Sequence, residues 1–580
     1  MLTGPGRPRA ARISERKDRI ILHFDYDCFY ASVFENENPS LKSLPLGVKQ
    51  KSILATCNYV ARAKGVNKLM LISEAQKLCP ELVLLNGEDL TRFRDASKKL
   101  WAFLRSHSWS KRVERLGLDE VFLDVSDIIS YNQEILNPNA LAQSFFQLSR
   151  EDPERGFAFD ATSFSGCTYP KDYKCDEERL SDPLRVRLVL ASHLAGYIRL
   201  KLEEDFGYTS TCGISINKVL AKLAGTQNKP KNQTTLISLQ DEDVQAFMDN
   251  HQIRKIPGMG FKTTHLIENH VLSRTTEAIP HDEEHSAKIT TREVLAHPGI
   301  SPELVERVLS RPGTEKGIGM RVWKLLHGVD DTEVKEASDV PTQISIEDTY
   351  MSKPLNTLSE LVRELRALTT SLVKRMHVDL LEQNHSANEP GTRKWLAYPK
   401  TFRLSTRAKT RPATENQHPF SRNSRSQPLP NFVFSLRDGP EAIVERLVNE
   451  TVLPLFRRLH HERQGWNLAL INICVTNMVL TGNEEGTGGG RDISFMFKTQ
   501  DARFKDFTVY DNSSAETLPT SEAESPAGQK VATPVPTNFD GEVVEWEEEE
   551  EEAVQRCLEC GCAIPIFALS AHERFHVMGA

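Results

Sequence analysis

Ile20-Ile21-Leu22-His23-Phe24-Asp25-Tyr26-Asp27-Cys28-Phe29-Tyr30-Ala31-Ser32-Val33 is the stretch that decides the fold. Its first five residues form an apolar run with the look of a buried strand, and the run ends on Asp25-Tyr26-Asp27. A second patch, Val121-Phe122-Leu123-Asp124-Val125, follows directly on Asp119-Glu120, and its alternation predicts a hairpin strand. Carboxylates that share a sheet surface repel one another and are costly to desolvate, so three of them are stable mainly when cations neutralise them. Hard oxygen ligands suit Mg²⁺, which takes phosphate oxygens as further ligands. A pair of such ions can run in-line phosphoryl or nucleotidyl transfer. Strand-end acids are more often turn or cap residues, and spacing alone does not bring these three together.

The chain has 580 residues and a net charge of -8, from 72 Lys+Arg and 80 Asp+Glu. At roughly 150 residues per domain, several domains are expected. The net charge argues at first against a partner as acidic as DNA, but it belongs to the tail. Residues 501–556 hold fifteen acidic and four basic side chains, whereas residues 391–480 hold fourteen Lys/Arg against six Asp/Glu. A local excess of that size is what a phosphate-tracking domain needs. No apolar run reaches the roughly 18–20 residues of a membrane span. The start, MLTGPGRPRAARISERKDR, lacks the apolar core of a secretory signal, so an intracellular protein without a membrane partner is expected. Ten cysteines are too dilute for a disulfide framework.

Along the chain, a basic arm (1–19) precedes mixed helix and strand signals at 37–100. Residues 149–184, polar and marked by Gly and Pro, read as a surface insertion. Apolar spacing at 187–206 predicts an amphipathic helix, and a Lys-rich helical stretch follows at 217–229. From residue 244 the pattern is helical and carries the Gly-punctuated turn Ile256-Pro257-Gly258-Met259-Gly260. Residues 340–480 mix strand-like runs (TFRLSTR, NFVFSL, LALINICV) with helices at 355–377 and 440–460, around a polar loop at 408–428. That order predicts an α+β domain. The composition of 481–545 predicts disorder, and the last 24 residues read as compact again.

Asp25–Val33 (DYDCFYASV) and Leu116–Phe122 (LGLDEVF) resemble the first and second catalytic motifs of the Y-family translesion DNA polymerases. Between them, LGVKQKSILATCNYVARAKGVNKLM and CPELVLLNGEDLTRFRDASKKL are similar to the iota branch of that family. Downstream, GISINKVLAKLAGTQNKP, KIPGMG and QISIEDTY fall in family order. The resemblance covers residues 20–350, and more weakly the chain to residue 480. It implies an α+β multidomain right hand: palm at 20–243 with fingers inserted at 37–95, thumb with a helix-hairpin-helix at 244–330, and a little-finger domain at 340–480. An acidic linker (481–552) and a small ββα zinc finger (553–580) would complete the chain.

The implied activity is that of a DNA-directed DNA polymerase, a nucleotidyltransferase adding dNTPs to a primer opposite damaged template bases with low fidelity. An eta-like bypass polymerase and a non-catalytic DNA- and ubiquitin-binding scaffold are the alternatives. The resemblance makes Asp25, Asp119 and Glu120, with the backbone carbonyl of Tyr26, the ligands of two Mg²⁺ or Mn²⁺ ions. Asp27 is left as a structural acid. Tyr59, Arg62 and Lys229 become dNTP contacts, sensible donors to developing phosphate charge, and Tyr30 a steric gate against a 2′-hydroxyl. Gln50 and Lys51 would lie near the templating base and Ile53 beneath it. Lys218 and Lys222, at i,i+4, either contact phosphate or merely solvate a helix face. This chain departs from the family pattern at Phe34, where Glu is usual, and at Gly117, where Ser is common.

Outside the acids, Arg403, Arg407, Lys409 and Arg411 are expected to grip primer-template DNA through its backbone, without reading sequence. Cys557-x2-Cys560 and His572-x3-His576 stand at tetrahedral Zn²⁺ spacing, and metal would supply the folding energy of so small a unit. The unit resembles the ubiquitin-binding finger of the eta branch, although Arg574 stands where an Asp is usual. Arg491–Phe497 (RDISFMF) is similar to peptides that dock on the sliding clamp PCNA, or is an incidental apolar cluster. The family implies a nuclear monomer whose partners are DNA, dNTP and ubiquitin or a ubiquitinated clamp.

Overall fold

The structure, a computed structural model, describes residues 19–171, 182–273, 288–311, 314–351, 353–383, 393–409 and 422–481, with short strands at 554–556 and 563–565. Described residues up to Ala337 form one compact unit, and those from Ser338 to Thr481 a second. Among them, no helix is long and apolar enough to cross a membrane.

The first unit opens with β1 (Ile21–Tyr26), α1 (Phe29–Glu37), β2 (Leu46–Gln50), β3 (Ile53–Cys57), α2 (Tyr59–Ala63), α3 (Ile72–Leu78), β4 (Val83–Asn86) and α4 (Thr91–Arg105). It continues with β5 (Val113–Leu116), β6 (Glu120–Asp124), α5 (Ser126–Glu134), β7 (Ser144–Gln147), β8 (Gly156–Phe159) and β9 (Cys167–Tyr169). Then come α6 (Pro183–Phe206), β10 (Ser210–Ser215), α7 (Lys218–Ala224) and β11 (Gln233–Leu236). The helices α8 (Asp241–Asp249), α9 (Phe261–Val271), α10 (Thr291–Ala296), α11 (Pro302–Leu309) and α12 (Ile318–Leu326) follow.

Its main sheet runs β5-β6-β1-β10-β11-β9, with β1 antiparallel to both neighbours. Strand alternation splits β1 between two environments. Leu22, Phe24 and Tyr26 enter the large core with α6 residues such as Leu194 and Ile198, while Ile21 packs with Phe122, Ala221 and Val334. The strands β3-β2-β4 make a separate small sheet over Leu54, Cys57, Ala61 and Leu82.

The second unit contains β12 (Ile344–Thr349), α13 (Leu358–Leu380), β13 (Leu381–Gln383), β14 (Arg393–Trp395), β15 (Ala397–Ala408), β16 (Asn423–Pro428), α14 (Pro440–Leu447), α15 (Leu453–Leu459) and β17 (Leu468–Leu480). Its four-stranded sheet runs β12-β17-β15-β16. Phe402, Leu404, Ile473 and Val475 bury one face in a core shared with Leu365 and Leu372 of α13. The register puts Arg403, Ser405 and Arg407 of β15 on the other face.

Several expectations are corrected. Residues 149–184 are not a surface loop throughout: β8 packs Phe159 into the large core, and β9 closes the main sheet beside β11. Isolated aromatics among Gly and polar residues hid both strands. The helix at 187–206 begins at Pro183 behind an Asp182 cap, and Leu188–Ser192 is buried on every side, so it is a core helix rather than an amphipathic one. The helical stretch at 217–229 ends at Ala224. The predicted strand NFVFSL contains a single 3₁₀ turn over Asn431–Phe434. A strand forms instead at β16, inside the expected polar loop, as an exposed edge held by its pairing to β15. The helix at 440–460 is interrupted by a π-turn at Val448–Val452, just before Pro454, whose missing N–H relaxes the ladder.

The zinc-spacing residues Cys557, Cys560, His572 and His576, the segment Arg491–Phe497, and Arg411 lie outside the described residues. The short strands β18 (Val554–Arg556) and β19 (Ala563–Pro565) pair antiparallel.

Candidate active site

The pairing of β1 with β6 answers the question that spacing left open. Asp25 and Glu120 are direct register partners, and the Tyr26 N–H donates to the Asp119 carbonyl at 2.9 Å. The hairpin turn before Glu120 holds Gly117 at φ +74, a conformation that suits glycine, which accounts for Gly in place of Ser. One sheet end therefore carries Asp25, Asp119 and Glu120.

Two lysines face these acids. Lys229 bonds Asp25 Oδ2, and Lys222 of α7 donates to Glu120 Oε2 at 2.6 Å. Lys222 reaches because α7 lies directly on β10: a Cβ on Gly213 would sit 1.8 Å from the Ala221 carbonyl oxygen. Lys218, one turn earlier, is tied to Glu114 at 3.2 Å and to the Glu333 carbonyl. It serves as a structural tether, while Lys222 belongs to the acid cluster.

Among the described residues, no three His, Cys, Asp or Glu side chains close up as a ready cation cluster. Lys222 and Lys229 supply positive charge there. The donor set still fits a hard divalent cation. Burial, with the negative charges of Asp25 and Glu120, pushes the Asp119 carboxyl up to about 6, a penalty that added positive charge relieves. Burial also opposes ionisation of Glu120, but the imidazole and ammonium facing it hold its carboxyl below the usual range. Burial lowers the His23 pKa below its ordinary value, and the Lys222 ammonium is the cation bonded to Glu120. Asp27 accepts the Lys231 N–H at 2.9 Å, in keeping with a structural acid, and burial raises its carboxyl.

Asp27 leads into a sharp strand-to-helix turn with Cys28 in the left-handed region, φ 47. That turn starts α1 and sets Tyr30 flat against Phe93 of α4, ring centroids 4.1 Å apart at 15°. Tyr59 and Arg62 share α2, with the Arg62 guanidinium 4.6 Å from the Tyr59 ring centre. The Asn58 side chain caps α2 through the Ala61 N–H and donates to Glu35 at 2.8 Å. Phe34 is buried, and the next residue, Glu35, accepts from the Asn58 side chain.

Gln50, Lys51 and Ile53 fall on the β2–β3 hairpin. Gln50 donates to the Gly87 carbonyl at 2.9 Å, Lys51 takes φ 52 at the turn, and Ile53 is half-buried opposite Gln50. Sequence reasoning missed His23, Phe93 and Asn58. An Asn just before a helical Tyr-x-x-Arg is a legible cap signal, whereas His23 and Phe93 look like ordinary core.

Residues 24–226 match the impB/mucB/samB family, and residues 341–488 match its C-terminal domain. The chain is 30% identical to human DNA polymerase iota over 520 residues, covering 87% of this chain and 60% of that protein. It is 39% identical to the Drosophila melanogaster polymerase iota over 254 residues, covering 44% and 31% respectively. Against the Mus musculus polymerase iota it is 31% identical over 462 residues, covering 79% and 54%. The chain thus spans less than two thirds of the length of each of these relatives. The two family matches lie in order and together span more than half of the residues, and on that footing the chain belongs to the impB/mucB/samB family.

Proposed function

We propose that this protein is a DNA-directed DNA polymerase of translesion synthesis, iota-like in its base-pairing habits, which adds dNTPs to a primer opposite damaged template bases. The observation that carries the reading is the meeting of Asp25, Asp119 and Glu120 at one sheet end, faced by Lys222 and Lys229. The relatives named DNA polymerase support the same reading. In it the main sheet is the palm, residues 37–95 the fingers, 244–330 the thumb and 340–480 the little finger.

Asp25, Asp119, Glu120 and the Tyr26 carbonyl would hold two Mg²⁺ or Mn²⁺ ions. Bound there, such ions favour attack by the primer 3′-hydroxyl and stabilise the pyrophosphate leaving group. Lys229, released from Asp25, would donate to the triphosphate together with Tyr59 and Arg62. Tyr30, braced by Phe93, would pack on the sugar and exclude a 2′-hydroxyl. The Gly258–Gly260 turn and the Arg403/Arg407 face would hold the DNA backbone.

The C-terminal Cys/His unit would bind Zn²⁺ and then ubiquitin, with 491–497 docking on PCNA, in a nuclear monomer. Titrating ubiquitin onto residues 553–580 with zinc should shift their resonances, and an unchanged spectrum refutes that part. The polymerase reading is tested by primer extension with Mg²⁺ and Mn²⁺. Wild type should extend and D119A/E120A should not; extension by the double variant overturns the mechanism.

A further inference from the structure

His23 lies two residues before Asp25 on the same face of β1, and it is 2% exposed. Its ring packs on Phe122, centroids 4.7 Å apart. A fully buried imidazole normally finds hydrogen-bond partners, because an unsatisfied polar group in the interior keeps its desolvation penalty without compensation. Here neither ring nitrogen has a hydrogen bond among the described residues. The Glu120 carboxylate is within reach, its Oε2 lying 3.6 Å from Nε2.

The same oxygen takes the Lys222 ammonium at 2.6 Å. Both contacts fall on Oε2, so Oε1 has no hydrogen-bond partner among the described residues and is the oxygen free to face a cation. Lys222 sits at the end of a long flexible side chain, whereas His23 is fixed in the sheet between β10 and β6. A shift of under an ångström of the carboxylate toward His23 closes an Nε2–H···Oε2 hydrogen bond.

We propose that His23 is a positioning residue. It holds Glu120 Oε2 from behind the sheet surface, so that Oε1 points outward to the divalent cation. This rests on the polymerase reading above and adds a rigid, buried orienter to it. Groups that orient metal-binding side chains are worth about 10–100-fold in metal affinity or activity.

The test uses the full chain and three variants. His23→Phe keeps the ring and its packing on Phe122 but removes the donor, and His23→Gln restores an N–H near the Nε2 position. His23→Leu serves as a second donor-free variant should the Phe substitution fail to fold. Mn²⁺ binding, read by electron paramagnetic resonance without DNA or dNTP, should weaken about tenfold in the donor-free variant and recover in His23→Gln. Single-turnover primer extension should show a matching fall in rate, with the dNTP KM within about twofold of wild type and the half-saturating Mg²⁺ concentration raised. Wild-type Mn²⁺ affinity in a folded donor-free variant overturns the proposal, and so does equal weakening in His23→Gln. A wild type that binds Mn²⁺ but extends no primer would refute the polymerase reading instead, leaving the His23 comparison to be decided by the binding data.

Discussion

Asp25 and Glu120 face each other across β1 and β6, and each is bonded to a different lysine, Lys229 and Lys222, from one segment of chain. Those ammonium groups offset the repulsion of three acids at one sheet end. A lysine can stand in for a cation only until something else binds it, so in the proposed function the acid cluster and the triphosphate would compete for the same positive charge. Lys229→Met should therefore lower the thermal midpoint in EDTA by a few degrees, about 1 kcal/mol. Added Mg²⁺ should raise the variant's midpoint more than the wild type's, because the cation replaces a lost charge. Thermal unfolding with and without Mg²⁺ checks this, and an identical Mg²⁺ response in both proteins refutes it.

Phe93 fixes the orientation of Tyr30 by stacking at 4.1 Å. It is fully buried, so Phe93→Ala should cost about 3–5 kcal/mol of stability. Phe93→Leu, closer in volume, should stay folded and let Tyr30 swing. Its ratio of ribonucleotide to deoxyribonucleotide incorporation should rise severalfold, in the direction expected more strongly for Tyr30→Ala. Unchanged sugar discrimination in both variants would remove Tyr30 as the gate.

Much of this site was legible because its acids sit at strand ends, where an apolar run stops at a charged residue. Their meeting was not legible, since it depends on the β1–β6 register. Lys218 and Lys222 look equivalent on a helical wheel, and only the packing of α7 on Gly213 sends one to Glu114 and the other to Glu120. The same limit explains β16. Its sequence, NSRSQP, has no apolar face because an exposed edge strand needs none, whereas NFVFSL has the composition of a strand but ends a loop against a core. Local pattern reports which side chains seek burial, and pairing partners are set by chain segments far away.

The hairpin carrying Gln50, Lys51 and Ile53 is stiff: Gln50 is tied to the Gly87 carbonyl, and the Lys51 N–H donates to Glu88 at 3.1 Å. In the proposed function this hairpin would lie beside the templating base, and a fixed surface there should treat the four bases unequally. Single-nucleotide insertion opposite each base should show efficient, accurate pairing opposite purines and frequent error opposite pyrimidines. Uniform, accurate insertion would count against the iota-like reading while leaving the polymerase chemistry intact.

His107 offers a test of folding rather than catalysis. It is 7% exposed, it contacts the Phe103 carbonyl through Nδ1 at 3.0 Å, and burial lowers its pKa despite that contact. The folded protein thus keeps the ring neutral where the unfolded chain, with an ordinary value near 6.5, takes up a proton. Below about pH 6.5 the unfolded state binds more protons, so the His107 contribution to stability is complete above that pH and is lost as pH falls toward the depressed folded value. The loss should amount to at most about 1.4 kcal/mol per pH unit in that window. His251 and His327 in the same unit carry the same sign, so the wild type should weaken measurably between pH 7.5 and 5.5. His107→Gln should be less stable at pH 7.5 yet lose less on acidification. Urea unfolding at pH 7.5, 6.5 and 5.5 decides the matter, and parallel loss in both proteins would show that His107 titrates alike in the folded and unfolded states and adds nothing to the pH dependence.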